Sequence, residues 1–351
     1  MVYAVIMAGG KGTRFWPVST PERPKQLLRL FDERTMIEQT VHRLEPFIPA
    51  DQQFIVTIEE QIEEFARQVP DLDRNSFITE PFARNTGPAI GLSAVHLLKK
   101  DPDAIMVVLP ADHRIEDKEA FQATLRTAVG FVEESDGIVT IGIRPTRPET
   151  GYGYIQYERD DFRPGVHRVV TFAEKPNRET AIRFIETGEF LWNSGMFIWS
   201  AQRILSEIEE HTPELYAALM EISDALDTDA PKERVVRAYQ SIKPISIDYG
   251  VMEKTRNAYV VPAGFGWSDI GSWEEVYQMD TKDTSGNVRQ GPVVILDTQN
   301  SYVVSRTELP LAVIGMKNVV VVHTEEGTLV CPRDRLQDVR EAAELVQKRK
   351  H

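Results

Sequence analysis

Over roughly the first 280 residues, short apolar or β-branched runs alternate with stretches that carry apolar residues at helical spacing. Val2 to Met7, Phe54 to Thr57, Ala104 to Leu109 and Gly137 to Ile143 read as strands. Met36, Ile37, Thr40, Val41 and Leu44 fall on one helical face. A second helix is expected from a capping box at Thr57 to Glu60, with Ile62, Phe65, Ala66 and Val69 inward. Thr86 to Lys100 and Lys118 to Glu133 are further amphipathic candidates. Strands separated by helix-length crossovers imply an α/β domain with a mixed, mostly parallel sheet.

Near Asp280 the pattern changes. A polar, turn-rich stretch from Thr281 to Gly291 precedes short β runs at Val293 to Leu296, Tyr302 to Ser305, Leu311 to Ile314, Val319 to Val322 and Thr328 to Val330, with no helix between them. An amphipathic helix from Arg333 to about Gln347 closes the chain, with Leu336, Val339, Ala342, Ala343 and Val346 on one side. Two domains follow, 1–280 and 281–351. The strand spacing of the second is compatible with a few coils of a β-solenoid or with a small sandwich.

Charge narrows the partners. Lys+Arg 40 against Asp+Glu 54 leaves a net charge of −14, which offers no general basic field to a nucleic acid backbone. Nucleic acid is therefore not an expected partner, and an anionic substrate must be met by local cations and backbone N–H groups. The single cysteine, Cys331, rules out an intramolecular disulfide and fits a reducing, cytoplasmic compartment. No basic leader precedes the first apolar run and no apolar run nears the ~20 residues that span a bilayer, so neither export nor a membrane is expected.

Those local cations lie behind the first strand, in Ala8-Gly9-Gly10-Lys11-Gly12-Thr13-Arg14. Glycines and cations directly after a strand let backbone N–H groups approach a phosphate; the same residues also suit a plain strand-to-helix turn. The spacing is not that of a Walker loop, and Arg14 after Thr13 departs from the dinucleotide fingerprint G-x-G-x-x-G, which disfavours a nicotinamide dehydrogenase. Lys25, stiffened by Pro24, is either a second anion contact or a solvated lysine.

Asp112 follows the run ending at Leu109, where ligands sit in open α/β sheets, although an aspartate there also suits a helix cap. His113 reads as an ordinary polar contact. Asp269, in Gly266-Trp267-Ser268-Asp269, is a turn residue or a partner for Asp112; two such carboxylates suit one Mg²⁺ completed by phosphates and water. Glu174 and Asn193 suit sugar hydroxyls, Lys175 suits a phosphate, and Gly151 and Gly153, flanking Tyr152, allow close backbone approach.

Together these motifs resemble the sugar-phosphate nucleotidyltransferase family over nearly the whole chain. Ala8 to Arg14 with Pro24-Lys25-Gln26 resembles its nucleotidyl signature, and Phe15-Trp16-Pro17 its mannose branch. Glu80-Pro81 with Arg84-Asn85-Thr86-Gly87-Pro88 is similar to that branch's base-binding segment. The resemblance implies a Rossmann-like nucleotidyltransferase domain followed by a small left-handed β-helix domain. It implies Arg14, Lys25, Asp112 and Asp269 as catalytic residues, with Mg²⁺ on Asp112 and Asp269. It places the nucleotide on Ala8, Gly9, Gly10, Gly12, Thr13 and Asp112, and guanine around Glu80, Asn85, Thr86 and Gly87. Mannose phosphate falls to Gly151, Tyr152, Glu174, Lys175 and Asn193.

The expected reaction transfers GMP from GTP to α-D-mannose 1-phosphate, giving GDP-mannose and pyrophosphate. Larger relatives add an isomerase domain, for which this chain ends too early, so isomerase activity is not expected. The alternatives are another sugar 1-phosphate or nucleoside triphosphate, or a sensor that binds a nucleotide sugar without chemistry. Exposed β-solenoid ends often pair, so a homodimer through the C-terminal part is expected.

Overall fold

The computed structural model describes residues 1–10, 12–228 and 231–350; Lys11 of the glycine loop lies outside the described residues. The chain gathers into two compact units, one of residues 1–9 with 40–268, the other of residues 10–39 with 269 onward.

In the first unit, nine strands form one sheet among the described residues. They are β1 (Val2–Met7), β2 (Gln53–Ile58), β3 (Phe77–Glu80), β4 (Ile105–Pro110), β6 (Ile138–Ile143), β7 (Tyr154–Tyr157), β8 (His167–Ala173), β9 (Phe190–Ser200) and β10 (Ala258–Ala263), ordered 3-2-1-4-9-6-10-8-7. A small antiparallel ladder of β5 (Arg114–Ile115) and β11 (Trp267–Ser268) stands apart. The sheet is mixed. Strands β3-β2-β1-β4 run parallel, as do β6 and β10, while β9 inserts antiparallel between β4 and β6. Tyr3, Ala4, Val5 and Ile6 are all fully buried, because a central parallel strand is covered on both faces and needs apolar residues at consecutive positions.

The covering helices include α1 (Met36–Leu44), α2 (Ile62–Gln68), α3 (Thr86–Lys100), α4 (Lys118–Glu134), α5 (Arg178–Thr187), α6 (Ala201–His211), α7 (Pro213–Leu226) and α8 (Pro231–Ser241). Ile90, Leu97, Ile204 and Leu219 pack into one cluster with Val5, Met106 and Trp199 of the sheet. Helix α2 begins later than the capping box at Thr57 to Glu60 suggests. Thr57 belongs to β2, and its hydroxyl bonds the Gln61 side chain at 3.1 Å instead of capping a helix.

The second unit holds α9 (Trp273–Met279), strands β12 (Val288–Gln290), β13 (Val293–Leu296), β14 (Tyr302–Ser305), β15 (Leu311–Ile314), β16 (Val319–Thr324) and β17 (Gly327–Pro332), and helix α10 (Val339–Lys350). Pairing decides between solenoid and sandwich. Strands β12, β14 and β16 are parallel, β13 and β15 are parallel, and Val303 opposite Val321 has the same offset as Val293 opposite Leu311. Consecutive coils therefore stack, as in a β-helix. The corners use left-handed backbone at Asp297, Asn300 and Asn318, with φ of 49°, 50° and 54°, a conformation that Asp and Asn tolerate. Strand β12 lies within the stretch that reads as turn from sequence. Phe15, Trp273, Tyr302, Val320, Leu336 and Val339 share this unit's core, which ties residues 10–39 to the C-terminal strands.

Candidate active site

The glycine loop folds against the lysine that follows it. Gly12 has φ 56° and ψ 28° and precedes a 3-10 turn at Thr13–Phe15. A Cβ on Gly12 would lie 2.6 Å from both the Cβ and the backbone nitrogen of Lys25, so conformation and space each require glycine here. The Ser19 hydroxyl donates to the Gly12 carbonyl at 2.7 Å. Lys25 is only 7% exposed, its ammonium donates to the backbone carbonyl of Asp269, and it stands 5.9 Å from the centre of the Phe15 ring. It is therefore not a solvated lysine. Arg14 is exposed, and Gly12, Thr13 and Arg14 line a cleft together with α10. The second unit thus brings Gly12, Thr13, Arg14, Lys25 and the Asp269 backbone to one neighbourhood.

In the first unit Ala8 is buried at the end of β1, its N–H bonded to Val56 at 2.9 Å. Asp112 sits in the turn between β4 and β5, half-buried. It caps no helix: the cap of α4 is Asp117, which accepts from Ala120 N at 2.8 Å. His113 makes the polar contact expected of it, accepting from Trp267 Nε1 at 3.1 Å. Trp267 lies edge-on to Tyr152 at 5.3 Å, and Tyr152 edge-on to Trp192 at 5.2 Å, which forms an aromatic wall beside Asp112's neighbour.

Glu174, Lys175 and Asn193 are brought together. A Cβ on Gly153 would stand 2.5 Å from the Glu174 carboxylate and 3.3 Å from Asn193 Cβ, so that glycine is the space the cluster needs. Lys175 pairs with Glu174, whose side chain is 6% exposed. Asn193 receives the Thr140 hydroxyl at 3.2 Å on Oδ1 and donates from Nδ2 to Asp248 at 2.9 Å. Burial pushes the Asp248 carboxyl up to about 6 and the nearby Glu174 charge adds to this, against a backbone hydrogen bond, Lys175 and Asn193. Burial opposes the Lys175 ammonium, but Glu174, Asp248 and Tyr249 outweigh it and leave its pKa raised. Gly151 lies in the loop before this cluster, its N–H bonded to Glu149 at 3.1 Å.

The segment from Glu80 to Gly87 forms a third group. Glu80 ends β3 and is 5% exposed; Tyr239 donates its hydroxyl to the carboxylate. Burial raises the Glu80 pKa to about 7, although Tyr239 and the Arg84 backbone favour the ionised form. Asn85, at φ 74°, caps α3 by accepting from Thr86 N at 2.8 Å. The Thr86 hydroxyl accepts from Ile247 N at 2.9 Å, and Gly87 N donates to Ile245 O at 3.0 Å. The segment leading to Asp248 is thereby fastened to the start of α3.

A family model described as Nucleotidyl transferase matches residues 3–286, and one described as MannoseP isomerase/GMP-like beta-helix domain matches residues 291–346. The chain belongs to the nucleotidyl transferase family. Among relatives of this nucleotidyl transferase, mannose-1-phosphate guanylyltransferase of Escherichia coli (strain K12) is 39% identical over 99% of this chain and 73% of its own length. Alginate biosynthesis protein AlgA of Pseudomonas syringae pv. tomato is 39% identical over 96% of this chain and 70% of its own. A crystal structure of mannose-1-phosphate geranyltransferase from Thermus thermophilus superposes with a TM-score of 0.87, at 34% identity and 99% coverage of both chains.

Two participants escape sequence reading. Asp248 lies in Ile247-Asp248-Tyr249-Gly250, where no spacing marks it, and Tyr239 is one more apolar position on a helix face. Only the fold brings Asp248 to Asn193 and Tyr239 to Glu80.

Proposed function

We propose that the chain is a mannose-1-phosphate guanylyltransferase, transferring GMP from GTP to α-D-mannose 1-phosphate with release of pyrophosphate, residues 1–280 forming the catalytic part and 281–351 the β-helix part. The observation that carries this reading is the polar cluster of Glu174, Lys175, Asn193 and Asp248, which offers hydroxyl partners and one phosphate-binding cation on a chain similar over 99% of its length to an enzyme of that name.

The sugar phosphate oxygen, already an anion, attacks the α-phosphorus of GTP in line; the bond to the β-phosphate breaks and pyrophosphate departs with its electron pair. No general base is required, and the difficulty is the approach of two anions. Arg14 and Lys25 stabilise charge on the transferring and leaving groups, and Lys175 orients the sugar phosphate. Glu80, Asn85, Thr86 and Gly87 define the guanine end.

Asp112 and Asp269 fit Mg²⁺: both are half-buried carboxylates, hard oxygen donors of the kind that bind it in pairs with phosphate and water. Held by these two carboxylates, the ion would supply charge neutralisation for the approaching phosphates.

Incubation with GTP, mannose 1-phosphate and Mg²⁺ is expected to yield pyrophosphate and GDP-mannose. UTP or dTTP replacing GTP without loss contradicts the guanine assignment, and binding of GDP-mannose without pyrophosphate release marks a sensor. A cytoplasmic homodimer belongs to the same proposal. The exposed Val294, Leu296 and Ile314 on β13 and β15 support pairing, and molar mass by light scattering tests it.

A further inference from the structure

Helix α10 turns one charged stripe toward the glycine loop. Arg340, Glu344, Gln347 and Lys348 recur at one-turn and two-turn intervals, and with Gly12, Thr13 and Arg14 they enclose a cleft of about 990 Å³. The adjoining face of the helix is anchored by Val339 and Ala343, each one residue before a member of the stripe and both buried. Arg340 Nε donates to Glu344 Oε1 at 3.1 Å across one turn, and both side chains are at least half exposed. Among the described residues that line it, the cleft therefore carries Arg14, Arg340 and Lys348 against the one carboxylate of Glu344, in a chain whose net charge is −14. A concentration of positive charge against the sign of the whole molecule, beside a loop of glycines, is a site for an anion. Its size matches small-molecule pockets of roughly 300–1,000 Å³ and exceeds what one simple ion fills.

We propose that α10 is a working wall of the nucleotide site, in which Arg340 and Lys348 join Arg14 in receiving the β- and γ-phosphates of the nucleoside triphosphate and hold the departing pyrophosphate. This rests on the nucleotidyltransfer reading above. In the free protein Glu344 neutralises Arg340; an arriving polyphosphate takes over that guanidinium through charge-assisted hydrogen bonds. Glu344 stays beside the product as the one repulsive charge of the stripe, which keeps pyrophosphate from binding too tightly to leave. Gln347 contributes an amide donor between the two cations.

The test is calorimetric titration of inorganic pyrophosphate into the full chain with Mg²⁺ present. Arg340→Gln and Lys348→Gln are each expected to weaken binding on the order of tenfold, with a shallower salt dependence. Glu344→Gln is expected to tighten it. Mannose 1-phosphate affinity stays unchanged in all three. These residues lie on the exposed side of the helix, and circular dichroism checks that the fold is retained. Wild-type pyrophosphate affinity in the Arg340→Gln, Lys348→Gln double variant overturns the proposal, as does unaltered or weakened affinity in Glu344→Gln. A chain that binds pyrophosphate through α10 but forms no GDP-mannose contradicts the assignment of GTP and mannose 1-phosphate as substrates, and leaves α10 as the polyphosphate wall of a nucleotidyl transferase with other substrates.

Discussion

The Lys25 ammonium donates to the backbone carbonyl of Asp269, a residue 244 positions away in sequence. This bond fixes the cation of the Pro24-Lys25 segment and the peptide bearing a proposed metal ligand on one frame. The Lys25 backbone also closes the space above Gly12, so the glycine loop is shaped by the same residue. Replacing Lys25 by Met keeps most of the apolar stem and removes the charge. We expect turnover to fall by about 10² to 10³-fold, with the folded spectrum retained. Steady-state kinetics on the purified variant check this, and near-wild-type turnover removes Lys25 from the catalytic set.

Gly12→Ala tests the loop itself. A methyl group must enter at φ 56° and 2.6 Å from Lys25, so loop and lysine have to separate. The expected cost is about 1–3 kcal/mol, read as a lower urea midpoint together with a raised KM for GTP. Gly130, whose added Cβ would meet nothing within 4 Å, is the control, and Gly130→Ala should leave the KM for GTP unchanged.

Glu80 gives a pH signature. Its carboxyl is raised from 4.5 to about 7 in the folded chain, chiefly by burial. Below pH 4.5 both folded and unfolded chains carry the proton, so the full contribution to stability is present. Between pH 4.5 and 7 the unfolded chain releases the proton first, and stability falls until the folded group also ionises. Across that window the loss is roughly 3 kcal/mol. Glu80→Gln, which can still accept from Tyr239, should remove this slope. Urea unfolding at pH 5 and pH 7.5 compares the two chains, and identical pH dependence would contradict the burial argument.

Much of the fold was legible because its strongest signals are local. The consecutive apolar residues of Val2 to Met7 and the periodic Thr86 to Lys100 fall where the structure has β1 and α3. Legibility fails where a long-range partner decides. Val288 to Gln290 sits among turn residues and becomes strand β12 only by pairing with β14. The start of α2 shifts because the Thr57 hydroxyl goes to Gln61. Strand spacing in the C-terminal part suits a coil or a sandwich equally, and parallel register separates them. In the candidate site, Glu174, Lys175 and Asn193 stand out as polar residues beside glycines and turns. Asp248 does not, since a lone aspartate between apolar residues carries no spacing that connects it to Asn193.

Asp248 and Glu174 are coupled through charge, and the coupling has a direction. Glu174 helps hold the Asp248 carboxyl up at about 6, so Glu174→Gln should lower the Asp248 pKa. Carboxyl-carbon NMR titration measures it. An unchanged or raised value would separate the two groups and weaken the case for a shared sugar-phosphate cluster.

The proposed service of Asp112 and Asp269 to a single divalent ion is tested most directly by a double-mutant cycle on turnover. Asp112→Asn and Asp269→Asn are each expected to lower kcat by at least about 10²-fold, with the double variant little worse than either single one, because an ion lost through one ligand is not lost again through the other. Multiplicative losses, or near-wild-type turnover in either single variant, would contradict the claim.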